Sequence, residues 1–285
     1  MQKNPCTNCN HEATAPEGLC HQSLGSDGEL VRCVGKWSRD KHFYLQRYLD
    51  IFTTSMRKKW ILCYLDMFAG PGRCKIREIS EEITASPLIA LGIRYPFNQY
   101  IFIDENPKVC NVLKKRVEII CDNGNIDARN VIIKNGDCNH LVAEICDLLP
   151  DKSLSICFID PTGLQLKFST VRSLATRNRK IDLIINFPLG TALKRNIEQF
   201  YQRKSPIMNE FWGDDSWRGI YESLPQGVAD DSFTVAFIKG YRDRLTPLGY
   251  QEVKLGSEVG IKHYYYLLFV SKHLLGQKFW QEVIK

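Results

Sequence analysis

No stretch of the sequence approaches the roughly 20 consecutive apolar residues needed to cross a bilayer. The opening residues, MQKNPCTNCN, lack the charged-then-apolar order of a secretory signal. Both absences argue against membrane insertion or export, and a soluble cytoplasmic protein is expected. Cysteine is too sparse for a disulfide scaffold: 11 in 285 residues, about 4% against roughly 8–10%. Seven of the 11, Cys63 to Cys157, lie in or beside apolar segments, where a reduced cysteine acts as a small hydrophobe. Internal repeats and low-complexity tracts are missing too. Charge of one sign is weak: 38 Lys+Arg against 32 Asp+Glu leaves +6, which permits a polyanionic partner without requiring one. Neither G-x-G-x-x-G nor G-x-x-x-x-G-K-[ST] occurs, so a phosphate cradle is disfavoured. What remains is a packed globular chain, 44% hydrophobic and 25% charged.

Its organisation changes sharply once. Residues 1–36 are polar, rich in Gly, Asn and Cys, and without periodicity, so they are expected to form a separate Cys-rich module ahead of one large domain, 37–285. From Ser38 to Lys59, Leu45, Tyr48, Leu49, Phe52 and Met56 recur at helical spacing, with Ser38 the expected N-cap and Arg57, Lys58 and Lys59 closing the helix. Beyond it, the runs ILCYLDMF, YIFID, VIIK, LSICFID and DLIINF alternate with helical stretches. Several are apolar on consecutive residues, as in strands covered on both faces of a parallel sheet. The pattern predicts a doubly wound α/β sheet. Residues 190–249 read as an aromatic-rich helical insertion, and 250–285 as a hairpin, turning at Glu258–Gly260, followed by a helix. Five parallel-type strands and two hairpin strands make an expected seven.

Chemistry concentrates at the strand ends. Asp66 closes the first strand and leads into Phe68-Ala69-Gly70-Pro71-Gly72, where glycines allow close backbone approach and a carboxylate accepts from hydroxyl or amino groups. Asp104 ends the second strand, placed to bind a ribose diol. Asn135-Gly136-Asp137-Cys138 follows the third and Asp160-Pro161-Thr162-Gly163 the fourth. A lone aspartate at a strand end is commonly a cap or turn former. Four in succession on one edge call for a shared ligand. Asn186-Phe187-Pro188 ends the fifth strand; Asn186 beside Asp160 can orient an acceptor or simply cap a helix. Lys194 and Arg195 can grip an anion or stay solvated. His42 and His140 are candidate proton carriers by residue type but read first as structural. Lys114-Lys115-Arg116 and Arg177-Asn178-Arg179-Lys180 read as solvated helix ends before nucleic-acid patches.

Taken together, these motifs resemble the class I S-adenosylmethionine-dependent methyltransferases, with a Rossmann-like seven-stranded sheet. The resemblance implies that Asp66, Phe68, Ala69, Gly70, Pro71 and Gly72 hold the methionine part of S-adenosylmethionine, Asp104 the ribose, and Asp137 and Cys138 the adenine. Asp160 then faces the methyl acceptor, and with Asn186 forms the expected catalytic pair. The first loop looks like that of nucleic-acid methyltransferases, whereas Asp160-Pro161-Thr162-Gly163 departs from the D-P-P-[YF] of amino-methylating enzymes. A closer resemblance, over 34–196, rests on Lys36-Trp37-Ser38-x-Asp40-Lys41-His42-x-Tyr44-Leu45, the first loop, Phe158-Ile159-Asp160-Pro161-Thr162-Gly163-Leu164 and Asn186-Phe187-Pro188. This combination is similar to the bacterial three-Cys-motif partner family, TcmP. It implies as partner a three-Cys-motif protein, itself resembling radical S-adenosylmethionine enzymes.

Three function classes follow. The leading expectation is methyl transfer to a nucleic acid or nucleotide. Its rival is a non-catalytic partner of the three-Cys-motif protein, either a cofactor-binding scaffold or an empty one. A nuclease built on the four aspartates fits poorly, since carboxylates spread along a sheet edge do not make a two-metal centre of roughly 4 Å. For the amino-terminal segment, Cys6-x2-Cys9 with Cys20 and Cys33 predicts a structural zinc, since so short a polar segment cannot bury enough apolar area to fold alone. An iron–sulfur cluster and simple reduced thiols remain the alternatives.

Overall fold

The computed structural model describes residues 23–124, 126–177, 180–224, 231–250, 259–261 and 265–285. The chain divides into two compact units, Met1–Asp137 and Cys138–Lys285.

The first unit runs β1 (Ser23–Leu24), β2 (Leu30–Val34), α1 (Ser38–Met56), β3 (Ile61–Asp66), β4 (Arg73–Ile76), β5 (Glu81–Thr84), α2 (Ser86–Leu91), β6 (Gln99–Asp104), α3 (Pro107–Asp122) and β7 (Val131–Asn135). Strands β3, β6 and β7 are parallel, in the registers Asp66↔Phe102 and Asp104↔Asn135. Tyr100, Ile101, Phe102 and Ile103 are all fully buried, which is why β6 is apolar on consecutive positions. Helix α3 starts where Pro107 fixes the backbone and Asn106 accepts from the Lys108 N–H at 2.9 Å. Helix α1 begins at Ser38 as expected, but Trp37 is its N-cap and Ser38, already helical, is buried. Of the expected basic closing residues, Arg57 instead lays its guanidinium over the Tyr95 ring at 3.9 Å.

A second sheet, order β1-β2-β4-β5, has no counterpart in the sequence reading. It draws β2, part of the segment expected to form a separate Cys-rich module, into parallel pairing with β4 through Arg32↔Cys74 and Val34↔Ile76, with β1 antiparallel to β2. Arg116 holds it down. The sequence placed this residue in a solvated cluster, yet its side chain is 3% exposed and forks onto Asp27 at 2.8 and 2.9 Å. Its Nη1 donates to the carbonyls of Leu30 (2.9 Å) and Pro71 (2.6 Å). Its neighbour Lys115 does stay exposed, pairing with Glu29.

The hydrogen bond from Arg116 holds the Asp27 carboxyl down at about 2, below the roughly 3.9 of an unfolded aspartate. The lowered value stabilises the fold above about pH 4, and the gain is lost as pH falls towards 2. In urea unfolding at stepped pH, the stability gap between wild type and Asp27→Asn should therefore narrow from pH 5 downwards. A gap constant down to about pH 2 would reject the linkage.

The second unit runs α4 (Cys138–Asp147), β8 (Ser153–Ile159), α5 (Phe168–Arg177), β9 (Ile181–Phe187), α6 (Lys194–Gln202), α7 (Pro206–Trp212), α8 (Trp217–Ser223), α9 (Asp231–Leu245), β10 (Val259–Ile261), β11 (Tyr265–Val270) and α10 (Leu274–Val283). β8 and β9 are parallel; β11 runs antiparallel to β9, and β10 antiparallel to β11. Val259–Ile261 pairs antiparallel with Tyr265–Leu267, so Gly260, expected in the turn, lies in a strand. Every residue of β9 is buried. Phe187, Phe211, Trp212 and Tyr241 form an aromatic core with ring centroids 5.1–5.7 Å apart. Phe211, Trp212 and Trp217, in the stretch expected to be an aromatic-rich insertion, are buried packing residues.

Among the described residues no helix is long and apolar enough to cross a membrane. Cys6, Cys9 and Cys20 lie outside the described residues; Cys33 is buried in β2. No group of three or more His, Cys, Asp or Glu side chains able to hold a metal occurs among the described residues.

Candidate functional site

In the first unit the ends of the three parallel strands are tied together by hydrogen bonds centred on Asp104. Its Oδ2 accepts from the Gly70 N–H at 3.0 Å and its Oδ1 from the Asn106 N–H at 2.9 Å. Its backbone carbonyl accepts from the Gly136 N–H (3.0 Å), the Asn135 Nδ2 (3.1 Å) and the Cys110 Sγ (3.3 Å). Burial pushes the Cys110 thiol up, so it stays a donor. The turn after β3 is fixed at three points: Phe68 N–H to Asp66 Oδ1 at 3.3 Å, Ala69 N–H to the Ile103 carbonyl at 2.8 Å, and Gly70 N–H to Asp104. Asp66 is fully buried and also accepts from the Tyr64 hydroxyl. It therefore shapes the turn from beneath, while Asp104 is half-exposed above it.

The two glycines do different work. Gly72 (φ +84°) is close-packed: a Cβ there would lie 2.9 Å from the Leu88 Cγ. At Gly70 (φ +64°) a Cβ would meet only the Arg32 Nη1, at 4.0 Å, so the space over the turn is open. Asp137 is half-buried at the end of the unit.

In the second unit the register Ile159↔Ile185 carries the chain to Asp160 and Asn186 side by side. The Asn186 Nδ2 donates to Asp160 Oδ1 at 2.7 Å. Asn186 is buried, and its Oδ1 has no hydrogen-bond partner among the described residues, an omission that costs about 1–3 kcal/mol unless something supplies a donor. Directly after Pro188 the backbone winds into a π-turn, Leu189–Leu193, a form concentrated at functional sites. The loop after β8 is held by Asn139 on α4, whose Oδ1 accepts from the Lys167 N–H and the Thr170 hydroxyl while its Nδ2 donates to the Gln165 carbonyl. Within that loop Gln165 accepts from the Gly163 N–H and donates to the Thr162 hydroxyl, both at 2.7 Å.

No protein-family model and no curated protein matches the sequence. Solved structures do. Trm1 from Pyrococcus horikoshii, in complex with S-adenosyl-L-methionine, superposes with a TM-score of 0.51 at 14% identity, over 86% of this chain and 57% of that one. This chain thus matches little more than half the length of that protein. Magnesium protoporphyrin IX methyltransferase from Synechocystis PCC 6803, with bound SAH, gives 0.42 at 14% identity, over 84% and 88% of the two chains. A putative methyltransferase from Escherichia coli, yhhF, gives 0.39 at 15%, over 79% and 84%. The fold is that of the Rossmann-like methyltransferases. What carries this is the Trm1 likeness together with the α/β elements above, and at such identity it speaks of the fold alone.

For a methyltransferase fold the donor set of the first unit fits S-adenosylmethionine. Each Asp104 oxygen already accepts one backbone N–H, and a carboxylate has about four acceptor sites, so capacity remains for a diol. The open space over Gly70 is of the kind a ligand fills. Cys138 is buried as the first residue of α4. His140 is exposed on α4 and His42 is buried on α1. Lys194 lies over the Phe233 ring and Arg195 is exposed. Two site residues escaped the sequence reading: Asn139 and Gln165. The Asn139 side chain meets its partners on the remote 165–170 segment, and that of Gln165 ties its own loop through Gly163 and Thr162; no apolar spacing marks either.

Proposed function

We propose that the protein is an S-adenosylmethionine-dependent methyltransferase acting on a nucleic acid or nucleotide, with the three-Cys-motif protein as its partner. The observation that carries the reading is the Asp160–Asn186 pair with its orphaned buried acceptor. Bound S-adenosylmethionine supplies an activated methyl group. In the first unit, Gly70 and Gly72 shape the turn for its methionine part, Asp66 fixes that turn from beneath, and Asp104 takes the ribose hydroxyls. In the second unit, Asp160 anchors the Asn186 carboxamide by its nitrogen, which stops the amide from rotating and commits Oδ1 to accepting. The group that suits Oδ1 carries a hydrogen to donate, an amino or hydroxyl group and not a carbon centre. Asp160 is then the carboxylate able to take up the proton that such a group releases. Resemblance to nucleic-acid methyltransferases in the first loop supports the polyanionic substrate, and resemblance to TcmP supports the partner.

Titration calorimetry with S-adenosylmethionine, followed by transfer of labelled methyl to RNA, DNA and the three-Cys-motif protein, tests this. One cofactor per chain and label in a nucleic-acid fraction are expected. Cofactor binding without transfer to any of the three favours the cofactor-binding scaffold, and no cofactor binding rejects the methyltransferase reading and leaves an empty scaffold.

A further inference from the structure

The cations around the small sheet of the first unit are mostly matched to acids. Arg73 pairs with Glu82 at 2.8 Å, Arg116 with Asp27 and Lys115 with Glu29. Arg32, in the middle of β2, is different. It is half-buried, its guanidinium makes no hydrogen bond or ion pair among the described residues, and its Nη1 stands 4.0 Å from where a Gly70 Cβ would be. A half-buried guanidinium without an anion beside an open turn is a receptor in want of one.

Its position is held from two sides. The Nη1 of Arg116 binds the Leu30 carbonyl, two residues before Arg32, and the Pro71 carbonyl, one residue after Gly70. The same guanidinium is itself locked by Asp27. Strand β2 and the turn are therefore fastened to each other before any ligand arrives, which reduces the ordering cost of binding. We propose that Arg32 binds the carboxylate of the cofactor's methionine part. This rests on the reading that the 66–72 turn holds that part. It gives the segment that leads in from the Cys-rich amino terminus a direct share in cofactor recognition.

The test compares S-adenosylmethionine with decarboxylated S-adenosylmethionine, which keeps the sulfonium, adenosine and amine and lacks only the carboxylate. By titration calorimetry, wild type should bind the complete cofactor about 10–100-fold more tightly, the range expected of a charge-assisted pair. Arg32→Gln should remove most of that preference, with the affinity for the decarboxylated compound held within about twofold, and Arg32→Lys should restore part of it. Retained binding of the decarboxylated compound also shows that Arg32→Gln is folded. An unchanged preference in Arg32→Gln overturns the assignment, as does an equal loss for both compounds. If neither compound binds wild type, the cofactor reading itself has failed and the assignment falls with it.

Discussion

Asp160→Asn should lower methyl-transfer turnover by about 10²–10⁴-fold, the usual share of a positioned proton acceptor, while cofactor affinity stays within about twofold. The asparagine keeps the shape and can still accept from the Asn186 Nδ2, which now sits 2.7 Å from the carboxylate, so the pair remains assembled. What disappears is the basic oxygen and its negative charge. The split between a lost turnover and an intact binding isotherm separates a chemical role from a structural one, because a residue needed only for folding moves both. Single-turnover rates with saturating S-adenosylmethionine and labelled RNA or DNA give the readout. A turnover equal to wild type would remove Asp160 from the mechanism and leave the buried Asn186 oxygen unexplained.

Asp104→Ala should reduce affinity for S-adenosylmethionine by more than about 100-fold. Two effects add. The cofactor loses the carboxylate proposed to receive its ribose, and the protein loses the acceptor of the Gly70 and Asn106 N–H groups. Hydrogen bonds to a charged group contribute about 1.5–3 kcal/mol each, and losing the Gly70 contact also frees the turn it holds. Asp104→Asn separates the effects: its carbonyl oxygen can accept one of the two backbone N–H groups, so the turn is partly kept while the charge is gone. Affinities ordered wild type, asparagine, alanine, with alanine also showing a lower urea midpoint, are the expected result. An alanine variant that binds the cofactor like wild type would move the ligand away from this strand end.

Much of this arrangement was legible before folding was considered. β3, β6, β8 and β9 announce themselves because a strand covered on both faces needs apolar residues at successive positions, and few other structures do. The helical stretches between them were legible from their length, each long enough for a crossover helix. The strand-end aspartates were visible for a related reason. A carboxylate directly after an apolar run can hardly lie anywhere but at the rim of the sheet. Local reading failed where stability comes from distant pairing. Strands β2 and β4, LVRCV and RCKI, are short and half polar, and they become strands through pairing with each other and with β1 and β5. The Lys114-Lys115-Arg116 run looked like three equivalent surface cations. The third is nearly inaccessible because Asp27 and two carbonyls, all remote in sequence, satisfy it.

By itself, then, the sequence determined the strands of the main sheet's apolar runs and the helices between them, and that acidic groups would gather at the ends of those strands. Consecutive apolar runs and helical spacing are local properties that a chain carries whatever its partners. Only the tertiary structure decided which of those polar groups are spent on holding the backbone and which are left over for chemistry. Asp66 is consumed beneath its turn, Asp104 retains capacity, and Asn186 and Arg32 stay unsatisfied. Hydrogen-bond satisfaction is a property of the assembled neighbourhood, and residues far apart in sequence supply it.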